Sequence, residues 1–342
     1  MSTRPVSHDL DDILVRAEDD LRRLSGARLF MTGGTGFFGR WLLGALTWAD
    51  DRLGLGLRIT VLSRAPEVFA DTAGRLATHR ALHWWRGDVR NFTAPLGTFP
   101  FIIHAATAAS EQLNRTQPLA MFDTIVAGTR RVLEFADGAD CQALLLTSSG
   151  AVYGPQPTQI DELTEDSTGG PDPTQPGSAY AEGKRAAEFL CSVSGLPVKI
   201  ARGFAFVGPF LPLDAHFAVG NFIHDALRGG IIQVSGDGTP YRSYLYAADL
   251  VVWLLRILLD GQPYRPYNVG SDQAVSIAEL ARAVAAAAGG NHVEILGTPT
   301  GQPPQRYIPS IERARTELGL EVWTPLPAAL QRTLDWYRTT PS

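Results

Sequence analysis

Residues 27–39 read A-R-L-F-M-T-G-G-T-G-F-F-G, and no other stretch narrows the possible folds as much: a short apolar run passes directly into three glycines, Gly33, Gly36 and Gly39, spaced G-x-x-G-x-x-G. Glycine is required where a backbone takes positive φ or approaches another group closely, and a helix that begins after such a turn offers free N–H groups and its positive dipole end to an anion. Leu29, Phe30 and Met31 supply a buried strand, while Phe37, Phe38, Trp41, Leu42, Leu43 and Leu46 recur as one apolar helix face. The pattern predicts strand, phosphate-holding turn and helix; a plain tight turn is the alternative.

The same unit repeats downstream. Residues 58–63, 82–86, 101–105, 143–147 and 198–202 read as strands, with helices expected over 66–80, 119–135 and 180–193. Such alternation argues an α/β fold: a Rossmann-type, doubly wound parallel sheet with right-handed crossovers and a ligand at the carboxyl ends of its strands, followed by a smaller C-terminal α/β lobe. Residues 1–27 are expected as an N-terminal helical extension, because Leu10, Ile13, Leu14, Ala17, Leu21 and Leu24 recur at helical spacing. Residues 28–203 form the cofactor-binding domain, with elements near 231–270 returning to it, and 204–342 form mainly a substrate-binding lobe. In that lobe the pattern loosens, to helices over 221–228, 248–259, 277–288, 311–318 and 326–338 and strands over 231–234 and 267–269. Residues 161–178, rich in Pro, Gly, Asp and Thr, read as a long surface loop, a lid or rim.

Composition removes several function classes. The chain of 342 residues carries a net charge of −5 and no basic run, so neither a nucleic acid nor a membrane surface is an expected partner. Cys141 and Cys191 are too few for a disulfide framework and lie in no metal-binding spacing; they are expected as reduced thiols, and no metal is expected. Residues 1–12 lack an apolar signal core, and no apolar run approaches the roughly 20 residues that span a bilayer. The expected compartment is the cytoplasm.

The strand ends carry the candidate site. After the second strand, where an acid commonly holds an adenosine ribose, stand Ser63 and Arg64; an arginine there suits a 2′-phosphate, favouring NADP over NAD, and its alternative is a side chain in water. Asp88 reads either as a partner of the adenine amino group or as a turn residue. Ala105, Ala106, Thr107 and Ala108 are small enough to let a cofactor pass close to the backbone, and His104 reads as a hydrogen-bonded structural histidine. The fifth strand runs into Ser149 at the same edge. Tyr180 and Lys184 lie four apart on one helix face. With Ser149 hydrogen-bonding the reacting oxygen, such a pair moves a proton to or from a sugar hydroxyl while a nicotinamide accepts hydride. A free tyrosine titrates near about 10, too high for a base at neutral pH, and a neighbouring ammonium is expected to lower that value.

Together these residues resemble the extended short-chain dehydrogenase/reductase family, in its nucleotide-sugar epimerase and dehydratase branch. The resembling segments are T-G-G-T-G-F-F-G, G-D-V at 87–89, I-I-H-A-A at 102–106, S-S-G-A-V-Y-G, Y-A-E-G-K-R, R-S-Y-L-Y-A-A-D-L at 242–250, Y-N-V-G at 267–270 and Q-R-Y-I-P at 305–309. The resemblance implies Ser149, Tyr180 and Lys184 as the catalytic triad. It implies Gly33, Thr35, Gly36, Phe37, Phe38, Gly39, Ser63, Arg64, Asp88, Val89, Ala105, Ala106 and Thr107, with Tyr180 and Lys184, as contacts of NAD or NADP. It points to Asn221, Arg242 and Arg306 for the diphosphate of a nucleotide-diphosphate sugar, and to a homodimer built on the helices at 119–135 and 179–193.

Departures from the pattern discriminate among reactions. Dehydratases of this branch carry Asp-Glu directly after the catalytic Ser/Thr, whereas this chain has Gly150 and Ala151. Related decarboxylases share a Y-x-E-G-K-R segment but place glutamate where Ala151 stands, and the epimerase/reductases that make fucose place cysteine there. Ala205 and Ile125 replace usual asparagines. What these residues leave is hydride chemistry at one sugar carbon: a nucleotide-sugar 4-epimerase, with an NADPH-dependent 4-ketoreductase as the alternative. A non-catalytic cofactor-binding sensor is disfavoured because the Tyr/Lys pair is present.

Overall fold

The computed structural model describes residues 4–107, 111–213 and 217–339; Ala108 lies outside them. The apolar runs form β1 (Arg28–Thr32), β2 (Arg58–Ser63), β3 (Leu82–Arg86), β4 (Phe101–His104), β5 (Ala143–Ser149) and β6 (Val198–Gly203). With the strand Pro266–Val269 they build a seven-stranded sheet in the order Pro266–Val269, β6, β5, β4, β1, β2, β3, parallel throughout. The order reverses between β1 and β4, so a crevice opens beyond the carboxyl ends of these two strands. Every residue of β5 is buried, as a central parallel strand covered on both faces must be.

The helices are α1 (Arg4–Arg23), α2 (Phe37–Leu53), α3 (Pro66–Ala73), α4 (Glu111–Thr116), α5 (Pro118–Asp137), α6 (Ala179–Ser192), α7 (Ala218–Leu227) and α8 (Ala247–Asp260), followed by Ile277–Ala288, Glu312–Leu318 and Leu326–Thr339. Side chains alternate across the sheet and so divide the core. Phe30 enters one layer with Phe92, Phe99 and Phe135. Leu29 and Met31 enter the other, with Trp41, Trp253 and the apolar face of α1. Ile13, Ala17 and Leu21 of α1, and Leu24 just after it, are buried, and full burial of a leucine or isoleucine contributes about 2 kcal/mol. Hydrogen bonds from Trp48 to Asp11, Arg256 to Asp20 and Tyr246 to Asp9 fix the same helix to the body.

Two expectations need correction. The helix expected over 66–80 ends at Ala73, because Gly74 takes φ +54° and a single 3-10 turn comes after it. Of the elements expected to return near 231–270, Pro266–Val269 joins the central sheet, whereas Ile232–Val234 pairs with Val293–Ile295 outside it. The 161–178 stretch is a surface loop, as expected, with two anchors: Leu163 and Glu165 are buried, Leu163 bridges to Pro309, and the Asn268 N–H and side-chain amide donate to Glu165 Oε1 and Leu163 O. Helix α4 falls where only a connection was expected. Both cysteines are free, Cys191 buried and Cys141 half-buried. Among the described residues, no helix is long and apolar enough to cross a membrane.

Candidate active site

At the mouth of the crevice the three glycines divide their work. Gly33 has φ +74°, and a Cβ there would lie 2.4 Å from the carbonyl carbon of Ala105. At Gly39 a Cβ would lie 2.3 Å from Gly33 O and 2.4 Å from Gly34. These two glycines let strand, turn and helix close on one another. Gly36 differs: it is exposed, and its Cβ would meet only Gly33 O, at 3.5 Å. Gly36 is also the N-cap of α2 without a side-chain cap, so the first N–H groups of α2 remain free for an anion. The opposite wall is tied to β1, with Ala105 N–H donating to Thr32 O and Ala106 N–H to Thr32 Oγ1. An open glycine, an uncapped helix start and a small-residue wall fit a dinucleotide pyrophosphate. Thr35 is exposed at the tip, and Phe37 and Phe38 are half-buried beside it.

His104 is structural, as expected: Nδ1 pairs with Thr32 Oγ1 at 2.8 Å and Nε2 with Thr129 Oγ1 at 3.1 Å. Burial, with the Lys184 ammonium nearby, pulls its titration down to about 3, so the ring is neutral at working pH. Beyond β2, Ser63 Oγ accepts from Ala65 N–H and Arg64 is exposed. The Asp88 carboxylate is held by Arg90 through bonds of 2.9 Å to both oxygens, which keep it below the usual carboxylate range, with Arg64 acting in the same direction. Val89 is buried against the backbone at Gly128.

The structure brings Ser149, Tyr180 and Lys184 together. Helix α6 starts at Ala179, and Asn114 of α4 fixes that start by accepting from Tyr180 N–H and donating to Gly177 O. The Lys184 ammonium donates to Thr107 Oγ1 and Thr147 O, each at 2.7 Å, and lies 5.8 Å from the centre of the Tyr180 ring. Burial draws Lys184 down to about 8, opposed by Glu188 and Cys191. The expectation that Lys184 lowers the Tyr180 value is not met. Desolvation holds the Tyr180 phenol above its ordinary value, and the group that opposes it is the Ser149 hydroxyl.

Two features escaped sequence reasoning. Behind β5, Ser148 donates to Glu188, which is paired in two places with Arg202; Arg202 in turn donates to the Tyr153 hydroxyl, and Tyr153 donates to Asn268. This chain, buried at its ends and half-buried at Glu188 and Arg202, holds α6 against the sheet. The other feature is Tyr307, whose hydroxyl lies 2.6 Å from where a Gly150 Cβ would stand, with the Phe204 ring at 2.7 Å from the same point. Its tyrosine-after-arginine position in Q-R-Y-I-P was the available signal.

The substrate candidates are partly gathered. Tyr241–Arg242 pairs antiparallel with Val275–Ser276 and parallel with Arg306–Tyr307, which sets Arg242 opposite Tyr307 and Arg306 opposite Tyr241. The Arg306 guanidinium lies over the Tyr241 ring at 5.0 Å and 3.6 Å from Asp161, while Arg242 donates to Tyr241 O. Asn221 is exposed on α7, and no contact joins it to these arginines in the structure described.

The match to a family model places the chain among extended short-chain dehydrogenases/reductases. More narrowly, it belongs to the NAD dependent epimerase/dehydratase family, whose model matches residues 29–270. It is 32% identical over 303 residues to UDP-glucuronic acid decarboxylase 6 of Arabidopsis thaliana, covering 87% of this chain and 84% of that protein. It is likewise 32% identical over 242 residues to UDP-glucuronic acid decarboxylase 1 of Xenopus tropicalis, where the match covers 69% of this chain and 56% of the frog protein, little more than half its length. Among solved structures, the fold is shared with UDP-glucose 4-epimerase of Thermotoga maritima (TM-score 0.73, 20% identity, 91% of this chain and 98% of that one). It is shared also with the dTDP-glucose 4,6-dehydratase DesIV of Streptomyces venezuelae (TM-score 0.76, 23% identity, 91% and 97%).

Proposed function

We propose that this chain is a nucleotide-sugar 4-epimerase in which Ser149, Tyr180 and Lys184 carry the proton chemistry at the sugar C4 hydroxyl. NAD or NADP, when bound, supplies the acceptor and donor of the hydride. The residues that would hold it are the turn from Gly33 to Gly39, Ser63, Arg64, Asp88, Val89 and the wall from Ala105 to Thr107. Tyr180 takes the proton from the C4 oxygen and returns it, Ser149 hydrogen-bonds that oxygen, and Lys184 fixes the ribose end of the site. Arg242 and Arg306 bind the diphosphate, where a planar guanidinium matches phosphate oxygens.

The observation that carries this reading lies in the two residues directly after Ser149. Gly150 and Ala151 offer no carboxylate, and the space over Gly150 is taken by the Tyr307 hydroxyl and the Phe204 ring. Positions 150 and 151 therefore supply no second acid or base of the kind that elimination or decarboxylation uses in this branch. Two other readings have support of their own. Decarboxylation of UDP-glucuronic acid is favoured by the sequence relatives, and reduction of a 4-keto sugar by the exposed Arg64, with no acid at the end of β2.

The test incubates the protein with UDP-, dTDP-, CDP- and GDP-sugars, UDP-glucuronic acid included, with and without NADPH. A C4-epimeric product without added reductant is expected. Release of carbon dioxide and a pentose from UDP-glucuronic acid would replace the reading by decarboxylation, and product only with stoichiometric NADPH consumption would replace it by reduction. Tyr180→Phe is expected to remove turnover by about two to four orders of magnitude while cofactor binding persists. NADP preference rests on Arg64: Arg64→Ala should weaken NADP selectively, and equal wild-type affinities for NAD and NADP would refute it. A homodimer is supported by Leu119 of α5, Phe189 of α6 and Val193 just after α6, which are 77%, 64% and 63% exposed; light scattering at the monomer mass of 37.0 kDa would exclude it.

A further inference from the structure

We propose that Tyr307 is a positioning residue for Ser149: its hydroxyl, seated over Gly150, donates to the Ser149 oxygen and commits the Ser149 proton toward Tyr180. The inference rests on the reading of Tyr180 as the acid/base group. It begins with a glycine that its own backbone does not require. Gly150 lies outside the positive-φ region, yet a Cβ there would stand 2.6 Å from Tyr307 Oη and 2.7 Å from Phe204 Cζ. The side chain missing at residue 150 is replaced in space by a phenol contributed from 157 residues further along the chain, arriving beside Ser149.

Tyr307 is not free to swing away. Its ring lies on Phe204, with centres 4.7 Å apart and planes inclined by 33°, and its backbone pairs with Arg242. Ser149 Oγ already accepts from Ala151 N–H at 3.1 Å. A serine hydroxyl has two lone pairs and one proton, so a second donor at the oxygen leaves the serine as donor only. The charged and titratable groups that bear on Tyr307 are Tyr180 and Tyr153, which raise its titration together with burial, and Arg242, which acts against them; Ser149 also opposes the rise. Tyr307 therefore stays protonated and remains a donor. Tyr180 has the Lys184 ammonium over its ring and the Ser149 hydroxyl as the group that stabilises its phenolate. In the site without substrate the proton order is Tyr307 O–H to Ser149 Oγ, then Ser149 O–H to Tyr180 Oη; the C4 oxygen of a bound sugar would take the same Ser149 proton in place of Tyr180. No proton leaves Tyr307.

The coupling is measured without substrate. Ultraviolet titration of phenolate in the protein, minus the same titration of its Tyr180→Phe counterpart, isolates the Tyr180 transition. Tyr307→Phe is expected to move that transition upward by about one unit, a tenfold change in the phenolate equilibrium. In a Ser149→Ala background Tyr307→Phe should add no further shift. An unmoved transition, or an equal shift without Ser149, overturns the proposal. Should Tyr307→Phe fail to fold, Gly150→Ala displaces the hydroxyl without deleting it and must raise the same transition. In turnover, the acid limb of kcat/KM should move with the titration while KM for the nucleotide sugar stays within about twofold. If the wild type turns over no nucleotide sugar, the 4-epimerase reading fails while the titration still decides the coupling.

Discussion

The glycine turn between β1 and α2, proposed for the cofactor, and the small sheet that carries Arg242, Arg306 and Tyr307, proposed for the substrate, are built differently. At the turn, backbone packs on backbone: the Cα of Gly33 lies against the Ala105 carbonyl and that of Gly39 against Gly33 and Gly34, with no side chain between. In the small sheet each strand is two residues long, and the Arg306 guanidinium is placed by a ring and an exposed carboxylate. The first arrangement ties ligand binding to folding. In the second, exchange of a side chain is expected to leave the fold intact.

The sharpest way to break this comparison is within the turn itself. Gly33→Ala forces positive φ on an alanine and drives its Cβ into the Ala105 backbone, neither of which can yield. A loss of about 3 kcal/mol or more is expected, read as a large fall in Tm or as insoluble protein. Gly36→Ala meets nothing nearer than 3.5 Å and should change stability by no more than about 1 kcal/mol, while cofactor affinity falls. Equal destabilisation by the two would show that the turn is not divided into packing and ligand-facing glycines.

The contrast also explains what was legible in the sequence. Long parallel strands and amphipathic helices carry their own periodicity, so the central sheet, α2, α5, α6 and the packing of α1 could be read directly. Tyr180 and Lys184 were legible because one helical turn relates them. The two-residue strands have no period to read, and Tyr307 acquires its place from Phe204, Arg242 and Gly150, which are far apart in the chain. Glu188 owes its place to Ser148 and Arg202, which come to it from two separate strands. The same limit applies to Asn114, whose role as cap of α6 depends on α4. Tyr180 shows a different failure: proximity to Lys184 was anticipated, but Thr107 and Thr147 O take the ammonium and burial dominates the phenol.

Lys184, held on α6 by Thr107 and Thr147 O, belongs to neither region and should show an intermediate effect. Its folded value of about 8 is below the ordinary lysine value of 10.5, so between those pH values the unfolded chain binds the extra proton. Stability contributed at this site therefore rises with pH through that window, and below pH 8 the cost of the buried charge is present in full. Against Lys184→Met, the wild type without cofactor should gain about 1–3 kcal/mol between pH 7 and pH 10.5. Denaturant unfolding at the two pH values measures it. A constant difference would mean that the ammonium is not desolvated as the structure places it.

The smallest effect on folding is expected at Arg306. Its partner Asp161 is 93% exposed and 3.6 Å away, and such pairs contribute at most about 1 kcal/mol; the contact with the Tyr241 ring adds a similar amount. Arg306→Ala should therefore leave Tm close to wild type. If the guanidinium binds a diphosphate, the same substitution removes a charge-assisted hydrogen bond of about 1.5–3 kcal/mol, and KM for the nucleotide sugar should rise roughly 10- to 100-fold with kcat nearly unchanged. Arg306→Lys should recover only part of that loss, because an ammonium cannot reproduce the planar fork on two phosphate oxygens. A fall in Tm comparable with that of Gly33→Ala would erase the distinction between the regions, whereas unchanged KM and Tm together would remove Arg306 from the substrate site.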